Sequence, residues 1–103
     1  MRRLTKPVAT AAALLAMATS LQAADIYSGR QVYELHCQSC HGADGRSMEL
    51  GIPDFSRGES LFRPDTDLVR ELRDGGGMHP AYRGLLSDDE MRDVLAYIRT
   101  LQR

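Results

Sequence analysis

The chain has 103 residues, with 13 lysines and arginines against 14 aspartates and glutamates, and 43% of its residues are hydrophobic. This length fits one small domain. The formal net charge is −1 at pH 7. Binding to nucleic acid or to anionic membranes usually requires a surplus of basic residues, so we expect this chain to bind neither.

The first 23 residues follow the pattern of a secretory signal peptide. A basic start at 2–6 precedes an apolar run at 8–17, and small residues follow up to Ala23 and Ala24. The run is too short to cross a bilayer, which disfavours the alternative of an uncleaved anchor helix. We predict cleavage after Ala23, with Ala24 as second choice, and export to the periplasm with no remaining membrane span.

The predicted mature domain, 24–103, is small and acidic. The leader holds three basic residues and no acidic one, so the domain keeps ten arginines against 14 acidic residues, a formal charge of −4. It has no tryptophan and two phenylalanines, and about 80 residues bury little surface for a core of side chains alone. We therefore expect a bound group to fill its middle.

The first helix of the domain is predicted to begin at Ser28 and to run into Cys37. Ser28 has the side chain of an N-cap, and Gln31 is spaced to complete a capping box with it. The apolar side of this helix comprises Val32, Tyr33 and Leu35.

A region rich in glycine and proline follows, from Gly42 to Pro64. It shows no sustained period, and we predict a long loop with one short turn of helix near Glu59–Phe62. A loop of this length in so small a domain suggests that it wraps a ligand.

Two further helices complete the predicted fold. The second has Asp65 as N-cap and ends at Gly75–Gly77, where glycine suits a left-handed C-cap. The third has Ser87 as N-cap, and Glu90 completes a capping box with it. Their apolar faces are Leu68, Val69 and Leu72 in the second helix, and Met91, Val94, Leu95, Ile98 and Leu101 in the third. No strand pattern is present, so the fold class is all-α, with three main helices and long loops.

The only two cysteines lie in the segment His36-Cys37-Gln38-Ser39-Cys40-His41-Gly42. A disulfide between cysteines three apart closes a ring too small to stabilise the fold, and a thioredoxin-like redox pair needs strands. Zinc needs four ligands; the candidates are Cys37, Cys40, His41 and His79, without the spacing of zinc domains. C-x-x-C-H is also the attachment sequence of c-type haem, which accounts for both cysteines and the histidine together.

The spacing of the motif suits haem attachment. From one short turn at the end of a helix, the thiols of Cys37 and Cys40 reach the two vinyl groups of one porphyrin and add to them as thioethers. The next residue, His41, is then held under the iron as its proximal ligand. We therefore predict one covalently attached haem c, which also supplies the missing core.

Over the predicted domain, the chain resembles the class I cytochromes c of the small bacterial type. The matching segments are Gly29–Tyr33 before the C-x-x-C-H motif, Gly51–Pro53, the loop around Met78, and Leu86–Arg99. The resemblance implies the small cytochrome c fold, with its helices and long loops wrapped around one haem. It also implies that Gly29 lets the first helix cross closely over the last, with Tyr97 filling the crossing.

The resemblance further implies two residues around the iron. The Pro53 carbonyl would accept a hydrogen bond from Nδ1–H of His41 and fix the imidazole tautomer, although Ile52 interrupts the Gly-Pro pair usual in the family. Met78 would be the distal ligand, with its neighbour His79 as the alternative. Thioether and imidazole both complete six-coordinate iron, so this choice stays open, and an open distal position is the third outcome.

Other polar and sulfur-containing side chains are weaker candidates. Arg57, Arg63 and Tyr82 could bind the haem propionates, although each is more simply interpreted as a solvated surface residue. Met48 and Met91 are expected to pack rather than to bind iron.

Three functions remain open. The one we favour is a one-electron carrier, not an enzyme, which exchanges electrons with donor and acceptor proteins such as a respiratory or denitrification enzyme. The second is a haem enzyme subunit or gas-binding haem domain with an open distal position, and the third is a non-haem secreted domain. Protein ligands in both axial positions would keep substrates off the iron, which favours the carrier.

Overall fold

The fold is described from a computed structural model, which describes residues 2–5 and 23–103. Most of the predicted signal peptide lies outside these residues, so its cleavage stays a prediction. In the described part of the chain, no helix is long and apolar enough to span a membrane.

Four α-helices and one short 3-10 helix form the fold within those ranges, without a β-strand. The helices are α1 (Ile26–His36), α2 (Gln38–His41), α3 (Asp65–Asp74) and α4 (Asp88–Arg99), and the 3-10 helix is Phe55–Arg57. The predicted all-α class is confirmed. The three main helices are α1, α3 and α4, whereas α2 is the single turn that contains the cysteine motif.

The start of α1 lies three residues before the predicted one. Asp25 is the N-cap, and its carboxylate accepts hydrogen bonds from the backbone N–H groups of Tyr27 and Ser28. The N–H of Asp25 donates to the Asp93 carboxylate of α4 at 2.8 Å. The prediction of Ser28 as N-cap is therefore wrong, because the Asp25 carboxylate caps the helix and the bond of the Asp25 N–H to Asp93 of α4 holds its start there.

The crossing of α1 and α4 has no space for a side chain at Gly29. A Cβ atom placed on Gly29 would lie 2.0 Å from the backbone oxygen of Asp93. Beside this contact the rings of Tyr33 and Tyr97 meet edge to face, with centroids 5.3 Å apart. The expected close crossing is confirmed, but Leu35, predicted on the apolar side of α1, is 79% exposed, because it lies on the face turned away from α4.

The 3-10 helix lies before the turn predicted at Glu59–Phe62. Asp54 caps it by accepting a hydrogen bond from the Ser56 N–H at 3.0 Å, and Gly58 ends it in the left-handed conformation with a φ of 77°. Phe55 and Ser56 are buried. The predicted position is wrong because the Asp-x-Ser cap and the glycine stop together favour the earlier segment.

The predicted C-terminal end of α3 agrees with the structure, whereas the predicted N-cap does not. Gly75 is its C-cap, as predicted, with a positive φ of 69°, but its ψ of −168° is not that of the left-handed helical conformation expected there. At the other end the helix begins at Asp65 itself, and Pro64 occupies the N-cap position without a side-chain hydrogen bond. The Asp65 carboxylate accepts a hydrogen bond from Arg99 at 2.6 Å instead, so Asp65 is not the predicted N-cap.

The helix α4 has the predicted start and most of the predicted apolar face, but Leu101 lies beyond its last residue, Arg99, and is only partly buried. The Ser87 side chain accepts from the Glu90 N–H, and the Glu90 side chain accepts from the Ser87 N–H, which completes the capping box. The buried residues of α4 are Met91, Val94, Leu95 and Ile98, and those of α3 are Leu68, Val69 and Leu72. These two faces pack with α1 into one core.

Candidate functional site

The cysteine motif forms one tight turn at the end of α1. Cys37 ends α1 and begins α2, and its carbonyl accepts hydrogen bonds from the N–H groups of Cys40 and His41. The Tyr33 hydroxyl donates to the Gly42 carbonyl at 2.6 Å, which holds the end of the turn against α1. The two cysteines and the histidine therefore lie together on one short helical turn, as the sequence predicts.

The two thiols of the motif have different environments. Cys37 is buried and Cys40 is exposed, and neither forms a disulfide. Burial, with a smaller contribution from Cys40, raises the pKa of Cys37 to about 11. The Cys37 thiol is therefore protonated at neutral pH and is not an activated thiolate.

The imidazole of His41 is held at one edge. Its Nδ1 lies 3.5 Å from the Pro53 carbonyl oxygen, so Ile52 does not prevent this contact. Burial lowers the pKa of His41, whereas the Pro53 hydrogen bond opposes this shift and the nearby charge of His79 adds to it. A neutral imidazole with Nδ1–H on a carbonyl has its Nε2 lone pair available for a metal.

The imidazole of His41 is also covered on one face, which sequence reasoning did not predict. The phenyl ring of Phe55 stacks on it, with ring centroids 4.4 Å apart and an interplanar angle of 16°. Phe55 follows Pro53 by two residues, and this spacing is the one sequence signal that could have indicated it. The same short segment thus provides both contacts to His41.

Met78 lies at the tip of a tight turn. Gly76 and His79 exchange backbone hydrogen bonds of 3.1 and 2.9 Å across the turn, and Gly77 has a φ of 59°. The Met78 side chain is fully exposed. His79 is exposed as well, and its ring meets that of Tyr82 edge to face at 5.8 Å, so the thioether and the imidazole are both accessible at this turn.

The weaker candidates have mostly structural roles. Tyr82 is buried, and its hydroxyl donates to the His36 carbonyl at 3.1 Å, so it is not a surface residue. Arg63 forms an ion pair with Glu71. Met91 is buried, as predicted, but Met48 is 91% exposed, so the prediction that Met48 packs within the protein is wrong.

The loops around the motif leave large apolar side chains in contact with solvent. Those of the two loop regions, 42–64 and 75–87, are Met48, Leu50, Phe62, Met78 and Leu85. Contiguous exposed apolar surface of this kind marks ligand or partner sites. A large flat apolar group held by these loops would cover them.

The available donors fit haem better than zinc. Among the residues that the structure describes, no three His, Cys, Asp or Glu side chains cluster closely enough to hold a metal ion. A porphyrin brings four nitrogen ligands of its own, so the protein needs to provide only axial ligands and two thiols. Cys37, Cys40 and a His41 with a free Nε2 fit that requirement.

The known proteins that this chain resembles are c-type cytochromes. A family model described as "Cytochrome C oxidase, cbb3-type, subunit III" matches residues 24–98. Cytochrome c6 from Chlorolobion braunii is 29% identical over 82 residues, which cover 73% of this chain and 89% of that protein. The "Cbb3-type cytochrome c oxidase subunit CcoP" of Azospirillum brasilense is 30% identical over 89 residues, which cover 80% of this chain but 30% of that protein.

Solved structures show the same architecture. Cytochrome c6 from the diatom Phaeodactylum tricornutum superposes with a TM-score of 0.59 at 25% identity, covering 74% of this chain and 92% of that one. The "KustC0563 c-type cytochrome" has a TM-score of 0.65 at 23% identity, with 73% and 98% covered, which supports the fold alone. The chain therefore belongs to the c-type cytochrome family that the matching model describes, has the small all-α cytochrome c fold, and has covalently bound haem c as its cofactor.

Proposed function

We propose that this c-type cytochrome is a periplasmic one-electron carrier with a single haem. Removal of residues 1–23 leaves the cytochrome domain, 24–103. Cys37 and Cys40 form the thioethers to the porphyrin, His41 is the proximal ligand, and Met78 is the distal ligand. When bound, the haem iron supplies the one-electron change between its ferric and ferrous states.

The observation that carries this proposal is the environment of His41. His41 directly follows Cys40, the second cysteine of the motif. Its Nδ1 lies 3.5 Å from the Pro53 carbonyl oxygen, and Phe55 stacks on its face. A ligand held at one edge and one face keeps its geometry when the charge on the metal changes. Small geometric change between two oxidation states is what an electron carrier needs, because it exchanges an electron without making or breaking bonds.

The proposed partners are redox proteins that dock by surface charge. The mature domain has a formal charge of −4, which favours donors and acceptors with a basic docking face. A respiratory or denitrification enzyme is the proposed kind of partner. A haem enzyme subunit or gas-binding domain, with an open distal position, is the alternative, and the match to an oxidase subunit keeps that alternative in the test.

Spectroscopy of the purified protein tests the function. A pyridine haemochrome spectrum of a c-type haem at one per chain is expected, and Cys37→Ala with Cys40→Ala should abolish it. The reduced parent should not bind carbon monoxide, because both axial positions are filled by the protein. Rapid carbon monoxide binding would establish the open-site alternative, and a protein without haem would contradict the proposal as a whole.

Two variants test the distal ligand. A ferric iron bound by methionine has a weak charge-transfer band in the far red, so we expect this band in the parent and its loss in Met78→Ala. His79→Ala is the matched control, one residue away in the same turn, and should retain the band. If the band is absent from the parent, or if it survives Met78→Ala and disappears in His79→Ala, then Met78 is not the distal ligand.

Cell fractionation tests the location. The full chain, expressed with a haem-attachment system, should be recovered from the periplasm with Ala24 as its N-terminal residue. A chain that begins instead at residue 24 after an initiator methionine should remain in the cytoplasm without haem. Recovery of the full chain with its leader in the membrane fraction would support the anchor helix instead.

A further inference from the structure

We propose that Phe55 is a positioning residue for the haem ligand His41: its ring holds the imidazole in one orientation and favours the ferric state. This inference rests on the proposed ligation of iron by His41. It assigns a role to a side chain that the C-x-x-C-H motif does not contain.

The geometry of the pair shows a directed contact. The two ring centroids are 4.4 Å apart and the rings are tilted by only 16°. Nδ1 of the same imidazole lies 3.5 Å from the Pro53 carbonyl oxygen. Rotation of the imidazole about its Cβ–Cγ bond would break the edge contact and the face contact together, so the two contacts determine the plane of the ring.

Phe55 has no room to move away from the imidazole. Its side chain is buried, at 8% exposure, and its N–H donates to the Gly45 carbonyl at 2.8 Å. A Cβ atom on Gly45 would lie 3.1 Å from both the Phe55 Cβ and a methyl carbon of Leu101, so this side of the site is tightly packed. The capping of the 3-10 helix by Asp54 then sets the direction of the Phe55 side chain.

Stacking on the imidazole face leaves the metal-binding atom accessible. The bond from Nε2 to a metal lies in the plane of the imidazole, whereas Phe55 lies above that plane. The face of a phenyl ring is electron-rich and attracts positive charge. An imidazole bound to ferric iron carries more positive charge than one bound to ferrous iron, so Phe55 stabilises the ferric form and lowers the reduction potential.

Variants of the holoprotein separate stacking from packing. Phe55→Leu keeps an apolar side chain but removes the aromatic face, and Phe55→Tyr restores an aromatic face. At the midpoint potential of the parent, the ratio of ferric to ferrous protein in Phe55→Leu should fall about twofold, in line with a weak cation–π contact. Leu61→Val, a small change at another buried position of the same loop, is the control for loosened packing.

A second measurement reports the orientation of the ligand directly. The proton NMR shifts of the haem methyl groups in the ferric protein depend on the plane of the axial imidazole. We expect their pattern to change in Phe55→Leu and to return toward that of the parent in Phe55→Tyr, whereas Leu61→Val should leave it unchanged. Recovery by the tyrosine variant, with no change in Leu61→Val, would assign the methyl pattern to the aromatic ring at position 55 and not to general loosening of the loop.

The outcomes distinguish this inference from the proposed function. If the parent has low-spin iron bound by His41 and Phe55→Leu changes neither the potential nor the methyl shifts, the role of Phe55 is refuted and the proposed function stands. Equal changes in Phe55→Leu and Leu61→Val would also refute it. If the iron of the parent is not bound by His41, both proposals are overturned.

Discussion

At the scale of single residues, Asp54 connects the two contacts that hold His41. It lies between Pro53, whose carbonyl meets the imidazole edge, and Phe55, whose ring meets the imidazole face. Its carboxylate accepts hydrogen bonds from the N–H and the hydroxyl of Ser56. These bonds hold the pKa of Asp54 below its ordinary value of 3.8, and the bond from the Ser56 hydroxyl contributes most.

The lowered pKa of Asp54 predicts a pH-dependent effect of Asp54→Asn. A carboxyl group with a lower pKa in the folded than in the unfolded state adds stability above its unfolded pKa, here 3.8, and loses it as the pH falls through the folded pKa. The variant should therefore be less stable than the parent at pH 5 to 7, and this difference should shrink below about pH 4. Denaturant unfolding of the holoproteins across this range measures it.

Glu49→Gln is the control for Asp54→Asn. In the part of the chain that the structure describes, the Glu49 carboxylate has no hydrogen bond or ion pair, and the residue is exposed. Its replacement should change stability little at any of these pH values. A difference between Asp54→Asn and the parent that stays constant from pH 7 to pH 3 would contradict the role assigned to the carboxylate.

At the scale of elements, the crossing of α1 over α4 depends on Gly29. Because a Cβ atom there would lie 2.0 Å from the Asp93 carbonyl oxygen, Gly29→Ala must push the helices apart. Overpacking of this kind costs about 1–3 kcal/mol or more, which outweighs the gain of about 1 kcal/mol from the better helix propensity of alanine. We expect a net loss of unfolding free energy in denaturant titrations.

Gln31→Ala is the matched control for the crossing. Gln31 is exposed on the same helix, and glutamine and alanine differ little in helix propensity. Its replacement should change the free energy of unfolding by less than about 0.5 kcal/mol. A Gly29→Ala protein as stable as Gln31→Ala would show that the helices do not need to meet this closely.

Another contact between elements is the clamp that Arg99 of α4 places on the segment before α3. Its guanidinium donates to the carbonyls of Leu61 and Arg63 at 2.8 and 3.1 Å and to the Asp65 carboxylate at 2.6 Å. The planar fork of arginine makes several such bonds at once, which lysine cannot. The clamp thus connects the loop that contains Phe62 to the C-terminal end of α4.

Removal of the clamp should cost more than removal of an ordinary surface ion pair. Arg99→Ala is expected to lower the free energy of unfolding by about 1–3 kcal/mol, and Arg99→Lys should recover only a small part of it. Arg92→Ala is the comparison, because within residues 2–5 and 23–103 the Arg92 guanidinium pairs only with Asp89; its loss should cost at most about 1 kcal/mol. Equal losses in Arg99→Ala and Arg92→Ala, measured by denaturant unfolding, would mean that the backbone contacts contribute nothing.

At the scale of the whole molecule, the haem is expected to be part of the core. A domain of about 80 residues buries little surface relative to the chain entropy it must offset. The loop side chains Met48, Leu50, Phe62 and Met78 are largely exposed, so they add little to a core made of side chains alone. We therefore expect the free energy of folding to depend on the attached haem.

The haem-free chain should accordingly lack a stable fold. Cys37→Ala with Cys40→Ala, or expression without a haem-attachment system, should give a protein with little helical circular dichroism and no cooperative melting. The holoprotein, purified in the same way, should melt in one sharp transition. A sharp thermal transition in the haem-free chain would show that the side chains alone form a sufficient core.

Local features could be predicted from the sequence by itself. The start of α4 depends on Ser87 and Glu90, which are three residues apart, and its buried face follows the helical period. The C-x-x-C-H motif likewise occupies one turn, and its chemistry requires only that spacing. Both predictions succeed because every group they depend on lies within a few residues along the chain.

Features that join distant parts of the chain depend on the folded arrangement. Asp25 rather than Ser28 is the N-cap of α1, and the Asp25 N–H donates to Asp93, 68 residues away. The stacking of Phe55 on His41 depends on a loop path that a region without periodicity does not reveal. The physical reason is that hydrogen bonds and ring contacts between distant residues have energies comparable to those of local caps, so the folded arrangement chooses between local alternatives that look equivalent in the sequence.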